Sequence, residues 1–523
     1  MADRRVFRTG WHSRTGHTGY AMNLLGIDVG TTGCKVALFS LNGNILDSAY
    51  REYDVQSPQP GWAELDAATI WEDVKAAIHS VSAANPGADI LALSVSSMGE
   101  AVVPVSENRQ ILGPSILNFD SRGEEFLADL AEQLPGERLY AINGNTVGNH
   151  YSLTKLKWIQ VHQPNLYART YKFLHWSSFI AFMLGADPVV DYSLANRTLL
   201  FDIHKCDWSE ALLSDTGIDR AKLPDPVPSG RIIGTVSADM AAKLGLKKGV
   251  RIVSGAHDQC ANAVGCGVID SGSAVYGMGT FHCITPVFAT QPFPHLMIER
   301  GLNTEHHAIP NRYVSFIYNQ GGSLVKWYRD TFAAEERRQA EENHYSVYPA
   351  LFAEIPNKIS SVVVLPHFST TGPPYFVADS SGLIAGLRLE TSRGEILKGI
   401  IEGIAFYLKE VVDSLPETGI QTEDYRAVGG GSQSDVWVQT CANIFGQPIT
   451  RPEITEAGTL GAAIMAGVGA EYFESYTQGV AAMVKLERTF EPDIYQHELY
   501  QARYQHYQQL WPLMGDYLRD LST

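Results

Sequence analysis

The first strongly patterned stretch of the chain, NLLGIDVGTTGCKVALFSLNGNILDSAYREYDV from Asn23, sets apolar strand-like runs around a Gly-Thr turn and an Asn42-Gly43 turn, and so predicts a β-meander. A weaker echo follows at GSAVYGMGTFHCITPVF, where a Gly279-Thr280 turn again separates strand-like runs. Two such hairpin starts, one at the head of each half, point to an ancient duplication with a boundary near residue 268. Between them helical patterns alternate with short β-rich runs at Ile90 to Val95, Ile252 to Ser254, Val362 to Leu365 and Ala427 to Val428, which argues for α/β layers. From Glu395 to Leu415 the residues Ile396, Ile400, Ile404 and Tyr407 share one helical face, as do Tyr500, Tyr504 and Tyr507 near the end; both stripes read as core. The charged run AAEERRQAEEN at 333–343 reads as a solvated helix face.

Length sharpens this picture, because 523 residues exceed the ~250–300 at which single cores stop growing, and two domains of similar size are expected. The composition is 45% hydrophobic and 19% charged, with no apolar run of the ~18 residues a membrane span requires. A formal charge of -17 without a long basic run argues against nucleic acid and for a small-molecule partner. The six cysteines form no CxxC pair and no metal-binding knuckle, which points to reduced thiols and a cytoplasmic location. Residues 1–21 carry Arg4, Arg5, Arg8 and Arg14 but no continuous apolar core, and read as a disordered extension rather than a secretory signal.

Neither GxxxxGK[ST] nor a GxGxxG after a strand is present, so a Walker-type NTPase and a Rossmann dehydrogenase both lose support. Several separated glycine-rich turns stand in their place, each after a β-run. In GIDVGTTGCK, Asp28 at a strand end can face a Mg²⁺ ion or its waters, Gly30 lets backbone approach an anion, Thr31 and Thr32 offer donors, and Lys35 can screen phosphate charge. GMGT places Gly279 and Thr280 for phosphate contact. In AVGGGSQSDVWVQ, Gly429, Gly430 and Gly431 precede a helix whose start is marked by Ser432 and Ser434, a place that favours negative charge. Each turn taken alone also reads as an ordinary connector. In RIVSGAHDQCANAVGCGV, Asp258 follows a strand and can take the proton of an attacking hydroxyl, although a single loop Asp is usually a cap. His306, His307 and His257 lack further ligands at useful spacing and read as buried or solvated histidines.

Taken together, IDVGTTGCKVALF, GWAELDAATIW, KLKWIQVHQPNLY, the Asp258 loop, NQGGSLVKWYRD, GLIAGLRLETSRGEILKGIIEGIAF and AVGGGSQSDVWVQ occur in the order found in FGGY carbohydrate kinases. The chain resembles that family over residues 22 to 515, and is most like its xylulose kinases. The resemblance implies an α/β fold of two actin-like ATPase (ribonuclease-H-like) domains with a central cleft. Residues 22–268 would carry the sugar and the catalytic base, and residues 269–523 would carry ATP.

By the same resemblance, Asp28 matches the Mg²⁺ and phosphate aspartate and Asp258 the catalytic base, itself beside the sugar. Thr32 matches the first phosphate turn, Gly279 and Thr280 the second, Gly321 a further phosphate contact, and Gly430, Gly431 and Gln433 the adenosine side. Glu100 falls where glycerol kinases hold a polyol. Asp120 and Arg122 in NFDSRGEEF match a sugar-binding segment of xylulose kinases, from which Asn118 and Phe119 depart. The expected reaction is phosphorylation of a terminal hydroxyl by ATP with Mg²⁺. D-xylulose is the first acceptor, and another ketose, glycerol, erythritol or gluconate are the alternatives. A homodimer is an open assembly, and a sugar sensor or chaperone-like ATPase of the same fold is the reading outside the class.

Overall fold

The computed structural model describes residues 22–453 and 456–522; the extension predicted at residues 1–21 lies outside them. The chain forms two compact units, one from residues 22–269, 303–314 and 456–485, the other from 270–302, 315–453 and 486–522. A sequence division at 268/269 assigns the stretches 303–314 and 456–485 to the second domain, whereas their packing assigns them to the first.

The first unit is built on a six-stranded sheet. Its strands are β1 (Met22–Val29), β2 (Gly33–Ser40), β3 (Ile45–Glu52), β4 (Asp89–Ser97), β5 (Ile232–Thr235) and β6 (Arg251–His257), in the order β5-β6-β4-β1-β2-β3. The predicted meander is β1 to β3, paired antiparallel, while β4 lies parallel to both β1 and β6. Leu24, Leu25, Ile27 and Val29 are all buried, so β1 shows the near-continuous apolar run of a strand covered on both faces. The segment GWAELDAATIW supplies the helix Ala67–Ala84, whose N-cap Asp66 accepts from the backbone amides of Ala68 at 3.0 Å and Thr69 at 3.3 Å.

Two helices approach each other, and β1 at Gly26, backbone to backbone. These are α1 (Asp258–Gly265) and α2 (Ala457–Gly469). A Cβ added at Gly461 would lie 1.9 Å from the Ala261 carbonyl oxygen, one at Gly265 1.9 Å from that of Ala457, and one at Gly26 1.9 Å from that of Thr459. Backbone thus meets backbone where any side chain would clash, which is why 456–485 returns to the first unit. Gly461→Ala is expected to cost ~1–3 kcal/mol through overpacking and to lower the denaturation midpoint. An unchanged midpoint would contradict this packing.

Residues 98–231, inserted between β4 and β5, carry a separate core around Leu153, Phe173, Leu194, Phe201 and Trp208. The acceptor-side residues Glu100, Asp120 and Arg122 expected from the sequence all lie in this insertion.

The second unit repeats the design. Its strands are β7 (Gly272–Met278), β8 (Phe281–Phe288), β9 (Ile317–Gln320), β10 (Thr422–Val428), β11 (Ile449–Pro452) and β12 (Leu486–Phe490). They run in the order β9-β8-β7-β10-β11-β12, with β7, β8 and β9 antiparallel and β10 parallel to β7 and β11. An antiparallel meander followed by parallel strands therefore occurs in each unit, as the two hairpin starts in the sequence imply. The helix predicted over 395–415 spans Arg393–Thr418, opened by a capping box of Ser392 and Glu395, and Phe406 on it meets the rings of Tyr500, Tyr504 and Tyr507 at 6.1, 5.7 and 5.4 Å. Ala340 is the buried position of the charged helix Ala334–Glu342. Among the described residues no helix is long and apolar enough to cross a membrane.

Candidate active site

The end of β1 and the start of α1 place two carboxyl groups in one electrostatic neighbourhood. Asp258 is the first residue of α1, directly after the last strand residue of β6, and its side chain is 28% exposed. Burial pushes its carboxyl up to about 7; the negative charges of Asp28 and Glu100 add to the push, and hydrogen bonds from Gln259 oppose it. Asp28 is raised to about 6, chiefly by burial, with the Ser96 hydroxyl opposing, Glu456 raising and Lys35 lowering. Asp28 pairs in register with Lys35 on β2 and with Ser96 on β4, and Lys35 forms an ion pair with Glu456. A Cβ on Gly458 would sit 3.2 Å from the Asp28 carboxyl carbon and 3.3 Å from Asn262 Oδ1, so the glycine at the head of α2 leaves this carboxylate its space.

An aspartate near 7 is poised to exchange a proton at physiological pH, whereas an ordinary aspartate is too weak a base. His257 Nε2 lies 3.2 Å from Asp258 Oδ1, but burial and the nearby Arg197 and His175 hold its imidazole well below the usual range, so this is a neutral contact and not an ion pair. Gln259 and Glu456 are members of the site that no sequence motif singles out. Gln259 stands next to the base in the very run that marks Asp258, and Glu456 is remote in sequence from Lys35 and Asp28, on which its carboxylate acts.

Thr31 and Thr32 lie in the β1–β2 turn, closed by the Gly30 amide donating to the Gly33 carbonyl at 2.9 Å and by the Tyr53 hydroxyl donating to the Gly30 carbonyl at 2.7 Å. Thr31 is half-buried and Thr32 is exposed.

Glu100 is buried and holds a left-handed backbone, φ 56°, unusual for a residue with a side chain. Its carbonyl accepts from the Ser152 hydroxyl at 2.5 Å. Its Oε1 accepts from Arg197 Nε at 2.6 Å and from Arg197 Nη2, and the remaining Oε2 is 3.4 Å from Asn118 Nδ2. Phe119 is exposed.

Asp120 and Arg122 meet a different arrangement from the sugar contact expected of them. Asp120 is fully buried, and its oxygens accept from the Ala63 amide at 2.5 Å, the Arg122 amide at 2.7 Å, Arg122 Nε at 2.9 and 3.1 Å and Arg122 Nη2 at 2.6 Å. Arg122 also pairs with Glu64 at 3.0 Å, and its guanidinium lies over Trp62 at 4.0 Å and Trp158 at 5.2 Å. Lys155 donates to the carbonyls of Asp120 at 2.7 Å and Arg122 at 2.8 Å. Both groups are spent on each other and on the loop around them, as buried charges must be.

In the second unit the predicted glycine turns converge. The Gly322 amide donates to the Gly279 carbonyl at 2.9 Å, and the amides of Gly321 and Ser323 donate to the Thr280 carbonyl at 3.1 Å. Gly429, at φ 89°, is so close to this turn that a Cβ there would lie 3.0 Å from the Met278 carbonyl oxygen and 3.3 Å from the Gly279 amide; a Cβ on Gly431 would be 3.0 Å from Met278 Cβ. Gly279, Thr280, Gly430 and Gln433 are exposed and Gly321 is buried. The helix after the glycines is capped by Ser434, which accepts from the Trp437 amide at 3.3 Å, whereas Ser432 donates to the Gly429 carbonyl at 2.7 Å and so stiffens the turn.

A divalent ion fits this chemistry in one form only. Among the described residues no group of three or more His, Cys, Asp or Glu side chains is arranged to hold a metal. The buried Oδ1 of Asp28, however, has no hydrogen-bond partner, and that of Asp258 has only the long contact with His257 Nε2. One or two such carboxylates suit Mg²⁺, which keeps waters and substrate phosphates as its other ligands, and do not suit a metal caged by protein. His306 Nε2 donates to the Ile203 carbonyl at 2.9 Å and His307 Nδ1 accepts from the Ile309 amide at 2.9 Å, both with burial holding them below the usual histidine range.

The model of the N-terminal domain of the FGGY family of carbohydrate kinases matches residues 23–265, and that of its C-terminal domain residues 272–470. A xylulose kinase of Staphylococcus epidermidis is 26% identical over 503 residues, spanning 96% of this chain and 98% of its own. A glycerol kinase of Janthinobacterium sp. is 29% identical over 482 residues, 90% of this chain and 94% of its own. The crystal structure of a xylulose kinase from Rhodospirillum rubrum superposes with a TM-score of 0.84 at 26% identity, covering 95% of this chain and 99% of the other. The two sheets are accordingly those of the actin-like ATPase fold.

Proposed function

Because this chain belongs to the FGGY family of carbohydrate kinases, enzymes that transfer phosphate to an alcohol, we propose that it phosphorylates a terminal hydroxyl of a small neutral sugar with ATP, D-xylulose giving D-xylulose 5-phosphate being the first choice. The observation that carries this reading is the placement of the Asp258 carboxyl at the start of α1, directly after β6 and in the electrostatic neighbourhood of Asp28 at the end of β1. Asp258 accepts the proton of the acceptor hydroxyl as the oxygen–phosphorus bond forms and the bond to the leaving ADP breaks. Glu100 accepts a hydrogen bond from another hydroxyl of the acceptor. Thr31, Thr32 and Lys35 of the first unit offer side-chain and backbone donors to phosphate. Within the second unit the Gly279-Thr280, Gly321 and Gly430-Gly431 turns offer backbone donors to the nucleotide, with Gln433 on the adenosine side. Mg²⁺ would be held by Asp28 with Asp258 nearby, and when bound it neutralises phosphate charge.

D-xylulose is favoured by the xylulose kinases among the relatives; glycerol and erythritol stay close because Glu100 falls where glycerol kinases carry their polyol glutamate. Gluconate ranks lower, since its carboxylate would meet Glu100, Asp28 and Asp258 with few cations to offset it. The test is sugar-dependent ADP release across ketoses, polyols and aldonates. D-xylulose should give the highest kcat/KM, and a preference for gluconate over every neutral compound would sink the acceptor assignment. The same assay run against pH should show kcat/KM rising through an apparent pKa near 7, because Asp258 must lose its proton to act as base. A flat profile between pH 5 and 8 would remove Asp258 from that role.

A further inference from the structure

Arg197 is a buried arginine in the run ANRTLLF, at the end of the short helix Tyr192–Asn196. Its guanidinium is divided between two carboxylates that lie far away along the chain. Nε at 2.6 Å and Nη2 reach Glu100 Oε1, while Nη1 reaches Glu305 Oε1. Glu305 is itself buried and takes a further bond from Asn303 Nδ2 at 2.5 Å. The ring of Tyr151 lies 5.0 Å from the guanidinium carbon. Gly99 packs against the same group: a Cβ there would lie 3.6 Å from Arg197 Cγ and 3.0 Å from His257 Nε2, the atom next to the Asp258 carboxylate. All of these residues belong to the first unit.

Both guanidinium contacts to Glu100 fall on Oε1, so the side chain is held in one orientation with Oε2 turned to Asn118. The left-handed backbone of Glu100 is held along with the side chain. With both carboxylates ionised, two against one guanidinium leave one formal negative charge; burial pushes the Glu305 carboxyl up, and the Arg197 charge and hydrogen bond oppose that push. The neighbouring imidazoles do not cancel the negative charge: His150 and His175 are driven toward the neutral form by burial, with the Arg197 charge adding to the effect and, at His150, that of Lys155 as well.

Building on the sugar-kinase reading above, we propose that Arg197 is the positioning residue that sets acceptor choice, by orienting Glu100 toward a hydroxyl and, shared with Glu305, by leaving the sugar side with one unbalanced negative charge. Neutral polyhydroxy acceptors gain a fixed hydrogen-bond acceptor, and acids meet an unbalanced charge.

The experiment measures kcat, KM for D-xylulose and KM for ATP in Arg197→Met, Arg197→Lys and Glu305→Gln, with thermal midpoints. Arg197→Met is expected to raise the sugar KM by roughly 10-fold or more with the ATP KM changed less than about 2-fold. Arg197→Lys should recover part of the loss, since it restores charge without the forked contacts. Glu305→Gln removes the surplus charge while keeping shape, and should raise the gluconate-to-D-xylulose ratio of kcat/KM by roughly 3-fold or more. An unchanged sugar KM in the Met variant, or sugar and ATP KM rising together, overturns the proposal. If the Met variant does not fold, Glu305→Gln decides: a shifted ratio supports the proposal and an unchanged one overturns it. Wild-type turnover separates this from the parent reading, since no sugar-dependent ADP release sinks both, whereas normal wild-type selectivity with unresponsive variants sinks this inference alone.

Discussion

Asp258→Asn is expected to fold, to bind ATP and sugar, and to lose at least ~10²-fold in turnover, the scale on which a missing general base is felt. The same substitution should make the protein more stable at pH 8. An aspartate whose folded pKa lies near 7 against an ordinary value of 3.8 is penalised in its charged form by the fold. That penalty is absent below about pH 4, where the carboxyl is protonated in both states, and it grows as pH rises toward 7. Removing the charge therefore raises the thermal midpoint at pH 8 by a few degrees, and the gain should vanish near pH 4. Loss of turnover together with a higher midpoint marks a group kept for chemistry. Loss of turnover with a lower midpoint at pH 8 would mean that Asp258 serves the fold.

Asp28→Ala should lower turnover by roughly 10³-fold, because several kcal/mol of charge stabilisation at the phosphates depends on what this carboxylate holds. Asp28→Asn is the more informative partner. The negative charge of Asp28 is one of the causes that raise Asp258, so its removal should let Asp258 ionise at lower pH, and the acid limb of the residual activity should move downward. An acid limb in the same place as in the wild type would show that the two carboxylates do not sense one another. Turnover undiminished in excess chelator would contradict the part assigned to Asp28.

Features encoded over a few neighbouring residues are legible in the sequence. The Asn42-Gly43 turn, the strand ending at Asp28, the strand leading to Asp258 and the tyrosine stripe on the last long helix all announce themselves through period and turn chemistry. Arg197 does not, because its partners lie 97 and 108 residues away and no local pattern encodes such pairing. The one available signal is a charged residue set in the apolar run LANRTLLF, which demands a buried partner without naming it. Asp120 and Arg122 show the converse case. Two residues apart in a segment that resembles a sugar-binding one, they read as facing a ligand, whereas the carboxylate and guanidinium satisfy each other under Trp62 and Trp158. The return of 456–485 to the first unit rests on Gly26, Gly265 and Gly461, whose importance lies in the distant backbones they let together and leaves no mark on the residues around them.

The central claim, a phosphoryl group moved to a neutral sugar hydroxyl with Asp258 as base, is tested most directly by following product itself. Purified protein with ATP, Mg²⁺ and D-xylulose is followed by phosphorus NMR and mass spectrometry, with the Asp258→Asn protein run in parallel. The expected result is one sugar phosphate formed per ADP released by the wild type and at least ~10²-fold less by the variant. ADP and inorganic phosphate without a sugar phosphate, or equal product from both proteins, would contradict it.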